Sequence, residues 1–251
     1  MNREATDLAG VRHIALGSAG STNAAALQRA RAGERGPLWI TAQSQSAGRG
    51  RRGNAWVSEP GNLYATLLLS EPAPQAEAPQ LSFVAALALH DAVADCAPQL
   101  EPALKLKWPN DLLLGRAKLA GILIEGESEP VFAVAIGIGV NCASHPAETR
   151  FPATDLAAAG VLVTPDALFA ALTGAMARRF AQWQRGKDFA AIRADWLERA
   201  AGIGQPLQVR LSDREISGCF KGLDDAGRLL LEQPGGYVTV TAGEVFGLAG
   251  T

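Results

Sequence analysis

The residues best suited to chemistry in this chain are concentrated in Gln45-Ser-Ala-Gly48-Arg49-Gly50-Arg51-Arg52-Gly53, followed by Trp56. Three glycines and three arginines in six positions suit neither strand nor helix. Glycine lets the backbone turn and approach a ligand closely, and each guanidinium presents five fixed donors shaped for carboxylate or phosphate. The stretch therefore reads as a loop that surrounds a small anion. A solvated basic turn and an RGG-like nucleic-acid segment are the competing readings. The second normally recurs in biased tracts, whereas one copy stands here between two apolar runs.

Three further stretches are more polar than their surroundings: Ser21-Thr22-Asn23, Lys107–Lys118 and Gly137–Asn141. Lys107-Trp108-Pro109-Asn110-Asp111 sets a cation, a ring and a carboxylate beside a proline turn. Lys118 opens the apolar run Lys118-Leu-Ala-Gly-Ile-Leu123. Taken singly, Lys118 could be a solvated lysine, Asp111 a turn residue and Asn141 a cap. Each stretch follows or ends an expected strand, so a single sheet could gather all four at one edge.

Those strands are expected at 13–16, 38–42, 63–69, 105–108, 112–114, 118–125 and 131–140, the fifth and sixth forming a hairpin. Thr22 is expected to cap a helix over 23–32. Leu81, Val84, Ala85, Ala88, Leu89 and Val93 give one packed face to a helix over 80–97. Thr164-Pro165 opens a helix to about 184, with another over 189–200. Residues 71–79, with three prolines, read as a surface loop, and residues 1–10 as a frayed tail. From about 205 five short β runs separated by turns suggest a small β-barrel. The expected units are 1–203 and 204–251.

With 251 residues, 48% hydrophobic and 19% charged, the chain can bury a sizeable core. Its 23 Lys and Arg against 25 Asp and Glu give a net charge of −2, which argues against a general nucleic-acid binder. Cys96, Cys142 and Cys219 lie far apart and form neither a disulfide framework nor a zinc site. His13, His90 and His145 make no ligand pattern. No signal peptide or membrane span is evident, so a cytoplasmic protein is expected.

Gly-Arg-Gly-Arg-Arg-Gly (48–53), Lys-Trp-Pro-Asn-Asp (107–111), Lys-Leu-Ala-Gly-Ile-Leu (118–123) and Gly-Ile-Gly-Val-Asn (137–141) together resemble the biotin–protein ligases, in that family's order and at similar separations. The resemblance covers roughly residues 11–200 and the terminal β module. It implies an α+β fold: a mixed central sheet flanked by helices, like class II aminoacyl-tRNA synthetases, with an SH3-like C-terminal barrel. It implies formation of biotinyl-5′-AMP from biotin and ATP, with Mg²⁺ expected, then transfer to a lysine of a biotin carboxyl carrier domain. By the same resemblance Ser21, Thr22, Asn23 and Gln45 would contact the biotin head, and Gly48, Arg49, Gly50 and Arg51 would close over biotin and the α-phosphate. Arg52, Trp56, Gly139 and Asn141 would lie near ATP or the adenylate. Lys118 would neutralise the two anions being joined, and Asp111 would orient the incoming lysine. Asn54 and Ala55 depart from the basic residue that often continues the loop. No N-terminal DNA-binding domain, and so no DNA partner, is expected with the first motif at Ser21. A lipoate–protein ligase and an Arg-loop nucleic-acid module remain the alternatives, and a monomer or a homodimer is equally compatible.

Overall fold

The computed structural model describes residues 8, 10–149, 151–211 and 213–246. Its strands are β1 (Arg12–Ala19), β2 (Leu38–Gln45), β3 (Leu63–Ser70), β4 (Leu104–Lys107), β5 (Asp111–Leu114), β6 (Ala117–Glu127) and β7 (Ala133–Val140). The helices are α1 (Thr22–Arg31), α2 (Leu81–Cys96), α3 (Pro165–Trp183) and α4 (Phe189–Glu198). β8 (Pro206–Arg210), β9 (Glu215–Leu223), β10 (Leu229–Gln233), β11 (Gly236–Val240) and β12 (Glu244–Phe246) complete the chain.

β1 to β7 form one sheet in the order β1-β2-β3-β7-β6-β5-β4. β1 and β2 run parallel and every other neighbouring pair is antiparallel, giving the expected mixed sheet. Side chains alternate between faces. Trp39, Leu67, Ile136, Ile138, Ile122 and Leu112 share the face that packs against α2 and α3. Leu38, Ile40, Leu68, Ala133 and Ala135 share the opposite face, which α1 covers with Ala26, Leu27 and Ala30. α1 spans only part of that second face, and the uncovered part holds the site.

Several local expectations change in the folded chain. Ser21, rather than Thr22, caps α1, its Oγ accepting from the Ala24 N–H, while Thr22 is the first helical residue. α2 is buried well beyond one stripe, with Phe83, Ala86, Leu87, His90 and Ala92 also enclosed, because it lies between the sheet and α3 and α4. Residues 71–79 run partly into a 3₁₀ turn, and Ala73 and Ala78 are buried, so this segment is not merely a surface loop. The expected tail falls mostly outside the described residues, but Leu8 is buried in the main core. Thr164 caps α3 as expected, accepting from the Ala167 N–H at 3.2 Å.

The C-terminal strands form an antiparallel sheet in the order β11-β10-β9-β8-β12. Among the described residues β11 and β12 do not pair, so the expected barrel is an open five-stranded sheet. Its apolar side chains Leu207, Phe220, Leu229 and Val245 are continuous with the main core. The turn before β10 is fitted into that core: the Trp108 indole N–H donates to Gly227 O at 3.1 Å. Gly227 has φ +77, and a Cβ there would lie 2.7 Å from the Phe83 ring. Gly227→Ala combines left-handed strain with overpacking and is expected to destabilise the protein by about 2 kcal/mol, read as a lower urea midpoint. An unchanged midpoint would show that the turn is not held against α2.

Candidate active site

Cross-strand register builds the site. Lys107 pairs with Asp111, Asp111 with Gly121, Gly121 with Gly139, and Gly139 with Tyr64. Directly paired residues project to the same face, so this row carries a cation, a carboxylate and then two positions with no side chain. Gly137, two residues from Gly139, extends the bare strip. The strip is a floor that other segments cover: a Cβ on Gly139 would lie 2.6 Å from Trp56 Nε1, and one on Gly137 2.4 Å from Asn23 Oδ1. Lys118 joins this face through a bulge. The β5–β6 register shifts between Leu112 and Leu113, setting Lys118 opposite Leu113 rather than Leu114. A one-residue shift exchanges faces, so the bulge turns Lys118 away from the α2 core and toward Asp111.

The resulting cavity has a volume of about 420 Å³. Of the residues proposed from sequence it is lined by Ser21, Thr22, Asn23, Gln45, Arg49, Gly50, Arg51, Arg52, Trp56, Asp111, Lys118, Gly139 and Asn141. Gly48 stands apart from the lining. A Cβ there would lie 2.4 Å from Trp56 O, so Gly48 permits close packing at the root of the loop. The loop itself doubles back, with Gly50 N–H donating to Asn54 O and Trp56 N–H to Gly48 O, and with Arg52 at φ 57.

One end of the cavity is neutral and polar. Asn23 Nδ2 donates to Glu125 Oε2 at 2.8 Å and Leu123 O at 3.2 Å, which uses both of its hydrogens. Its Oδ1 accepts from the buried Thr66 hydroxyl at 2.7 Å and retains one lone pair. Gln45 Oε1 accepts from Thr22 N–H and Oγ1, while Nε2 donates to Ser58 and retains one N–H. The Ser21 Oγ accepts a cap bond and keeps its hydroxyl hydrogen. The network thus leaves one acceptor and two donors for a ligand. Thr66, Ser58 and Glu125 were not identified from sequence. Glu125 bonds a residue 102 positions away, and its only local signal is a carboxylate facing inward on an apolar strand.

The other end is cationic. Lys118 Nζ lies 2.6 Å from Asp111 Oδ1 and 5.4 Å from the Trp56 ring centroid. Asp111 Oδ1 is nevertheless buried without an aligned hydrogen bond. The ammonium contact is therefore close in distance but poorly directed, and its electrostatic attraction is what holds it. Arg49 pairs with Glu125 at 3.0 Å. Arg51 donates weakly to Asn110 Oδ1 and Gly243 O, both at 3.4 Å. Burial, and then Arg52, lower the Arg51 pKa, with Asp111 and Glu244 opposing the shift. Lys107, named in the sequence motif but given no role there, is buried with Nζ 4.1 Å from the Phe151 ring centroid. Burial pushes its pKa below the usual lysine value; Lys118 acts in the same sense, and Asp111 and Glu244 in the opposite one. Trp56 Nε1 is buried without a partner.

Two further segments complete the wall. Asn141 Nδ2 donates to Thr154 O at 3.0 Å, and Lys118 N–H to Pro152 O at 2.7 Å, which fixes 152–154 beside the start of β6. The C-terminal sheet contributes Gly243, Glu244 and Val245, and the Phe151 and Phe246 rings meet at 4.9 Å. The terminal β module is thus part of the cavity.

Residues 20–141 match the Biotin/lipoate A/B protein ligase family, and 202–247 match the Biotin protein ligase C terminal domain. The chain is 44% identical over 238 residues to a biotin–[acetyl-CoA-carboxylase] ligase of Paracoccus denitrificans, covering 90% of this chain and 96% of that one. It belongs to the biotin protein ligase family. A biotin–[acetyl-CoA-carboxylase] ligase of Mycobacterium tuberculosis is 35% identical over 90% of this chain and 85% of its own length. Among solved structures, the biotin protein ligase from Aquifex aeolicus in complex with biotin and ATP superposes with a TM-score of 0.79 at 25% identity, covering 94% of this chain and 97% of that one.

The floor has a direct test. In Gly139→Ala the new methyl overlaps the indole, so Trp56 must leave the strip. Its emission in the ligand-free protein is expected to shift to the red, with stability changed by less than about 1 kcal/mol. Wild-type emission would place Trp56 elsewhere.

Proposed function

We propose that the chain is an ATP-dependent biotin–protein ligase. One observation carries the reading: a single cavity joins a neutral end offering one acceptor and two donors to an end rich in cations. A cyclic urea needs that neutral end, because its carbonyl accepts and its N–H groups donate, and burying it unmatched is costly. A carboxylate being joined to a phosphate needs the cationic end.

In this reading Ser21, Asn23 and Gln45 hold the ureido ring, with Thr22 fixing Gln45. Gly50, Arg49 and Arg51 close over the valerate and the α-phosphate, with Gly48 as their root and Arg52 supporting the loop. Lys118 bridges biotin carboxylate and α-phosphate. Trp56, Gly139 and Asn141 line the adenylate, and Asp111 meets the acceptor lysine. In the first half-reaction a biotin carboxylate oxygen bonds to the α-phosphorus, the bond to the bridging oxygen breaks, and pyrophosphate leaves. In the second, the acceptor nitrogen bonds to the acyl carbon and AMP departs with the electron pair.

Among the described residues no group of three or more His, Cys, Asp or Glu could hold a metal. The donor set therefore suits an Mg²⁺ carried by the ATP phosphates rather than a protein cage. The acceptor would be a carrier domain of a biotin-dependent carboxylase, in keeping with the names of the relatives. No helix among the described residues is long and apolar enough to cross a membrane, which is compatible with a cytoplasmic enzyme. We place the boundary between the catalytic and C-terminal units at 203/204. A lipoyl ring would leave the free groups of Asn23 and Gln45 unmatched. Nucleic acid would find Arg49 held by Glu125 and Arg52 donating to Arg210 O.

The test is pyrophosphate release from ATP with biotin, with lipoate, and with neither. Release with biotin alone is expected; release with lipoate instead, or with neither acid, would overturn the proposal. Lys118→Ala should lower the biotin-dependent rate by at least about 10²-fold, and a wild-type rate would remove Lys118 from the anion site. Lys107→Met should raise KM for ATP about tenfold while leaving the melting temperature equal or higher, because a buried charge is relieved. A lower melting temperature with unchanged KM would make Lys107 structural.

A further inference from the structure

Asp111 and Lys118 serve different halves of the proposed reaction, yet in the ligand-free protein they are bound to each other at 2.6 Å. While that contact lasts, the ammonium is not free for two substrate anions, and the carboxylate is not free for an acceptor amine. We propose that the Lys118 ammonium holds the place of the acceptor lysine's ammonium, and that its departure to the substrate anions opens that place and orders the two half-reactions. The inference rests on the ligase reading of this site.

Three features make Lys118 fit for such an exchange. Its backbone is fixed: the bulge sets its face, and its N–H and C=O bond to Pro152 O and Thr154 N. Its side chain is not. It crosses Gly121, where a Cβ would lie 3.3 Å from both Cε and Nζ and 3.1 Å from the Trp56 ring, so Gly121 itself offers no side chain against a swing and the indole is the neighbour that the lysine moves past. The contact it would give up is poorly directed, since Asp111 Oδ1 is buried without an aligned hydrogen bond. That atom is therefore left for a better placed N–H donor.

The electrostatics then set the order. Before adenylation Asp111 has a contacting cation, with Lys107 and Arg51 acting on it from further away. A carboxylate and a triphosphate entering beside Arg51 offer Lys118 more negative charge than Asp111 does. Once Lys118 has moved, a carboxylate without its contacting cation faces the adenylate phosphate, and like charges at short range are unfavourable. An incoming primary ammonium relieves this. It passes one proton to Asp111, its nitrogen bonds to the acyl carbon, and the acyl C–O bond breaks with the electron pair leaving on AMP. The second nitrogen proton goes to water, leaving a neutral amide.

The measurement is the contribution of the acceptor lysine to binding, without turnover. An acetyl-CoA carboxylase carrier domain and the same domain with methionine at its acceptor position are titrated against the full chain, alone and loaded with a sulfamoyl analogue of biotinyl-5′-AMP. In the ligand-free wild type the two carriers should bind equally; with the analogue the lysine carrier should bind about tenfold more tightly. Lys118→Gln should show that preference without the analogue, and Asp111→Asn should abolish it in every state. An equal lysine preference with and without the analogue, or a Lys118→Gln variant that still ignores the lysine when ligand-free, would overturn the proposal. Failure of the wild type to bind either carrier would instead strike the ligase reading itself, and the biotin-dependent pyrophosphate assay would show that independently.

Discussion

The site depends on a strip of sheet from which side chains have been removed. Gly121 and Gly139 are cross-strand partners and Gly137 follows on the same face, in a sheet whose other face is filled by Ile122, Ile136 and Ile138. One face can therefore anchor the core while the other receives the Trp56 indole and the Asn23 amide at distances no Cβ would tolerate. Strand rigidity is kept because every ladder pairing continues through the glycines. The strip supplies room without supplying flexibility, which is what a preorganised polar site requires.

In the ligand-free protein two cations of the cavity are paired with its own acids. Arg49 is held by Glu125 and Lys118 by Asp111, each at about 3 Å or less. The pairing keeps the loop and the lysine in defined places. Glu125 has a second bond to Asn23, so the neutral end of the cavity and the arginine loop are tied through one carboxylate. Substrate anions enter by exchanging partners with groups already in position.

The C-terminal sheet is not an appendage. Arg51 and Arg52 donate to Gly243 O and Arg210 O, the Phe246 ring meets the Phe151 ring that Lys107 packs against, and Gly227 is fitted against Phe83. The two arginine hydrogen bonds tie the arginine loop to the C-terminal module. A displacement of the β module would therefore be felt at the cationic end of the cavity before it was felt at the neutral end.

Much of this was legible in the sequence. The strand runs, the α3 cap and the four polar stretches could be read locally, because hydrophobic period, cap chemistry and glycine content are local signals. That all four lie at strand ends was enough to expect one edge. What the chain alone did not reveal were relations between distant residues: Thr66, Ser58 and Glu125 matter because Asn23 and Gln45 approach them, and the C-terminal wall matters because the core is continuous. The cap of α1 moved by one residue and the expected barrel is open among the described residues, since both turn on backbone geometry that neighbouring residue types leave free. The face of Lys118 is the clearest case. Strict alternation from Asp111 and Gly121 would send it into the α2 core, and only the bulge at Leu112/Leu113 turns it toward the carboxylate. Residue types supplied the charges and the bare strip; three-dimensional register decided which of them face one another, because a shift of one residue reverses a strand.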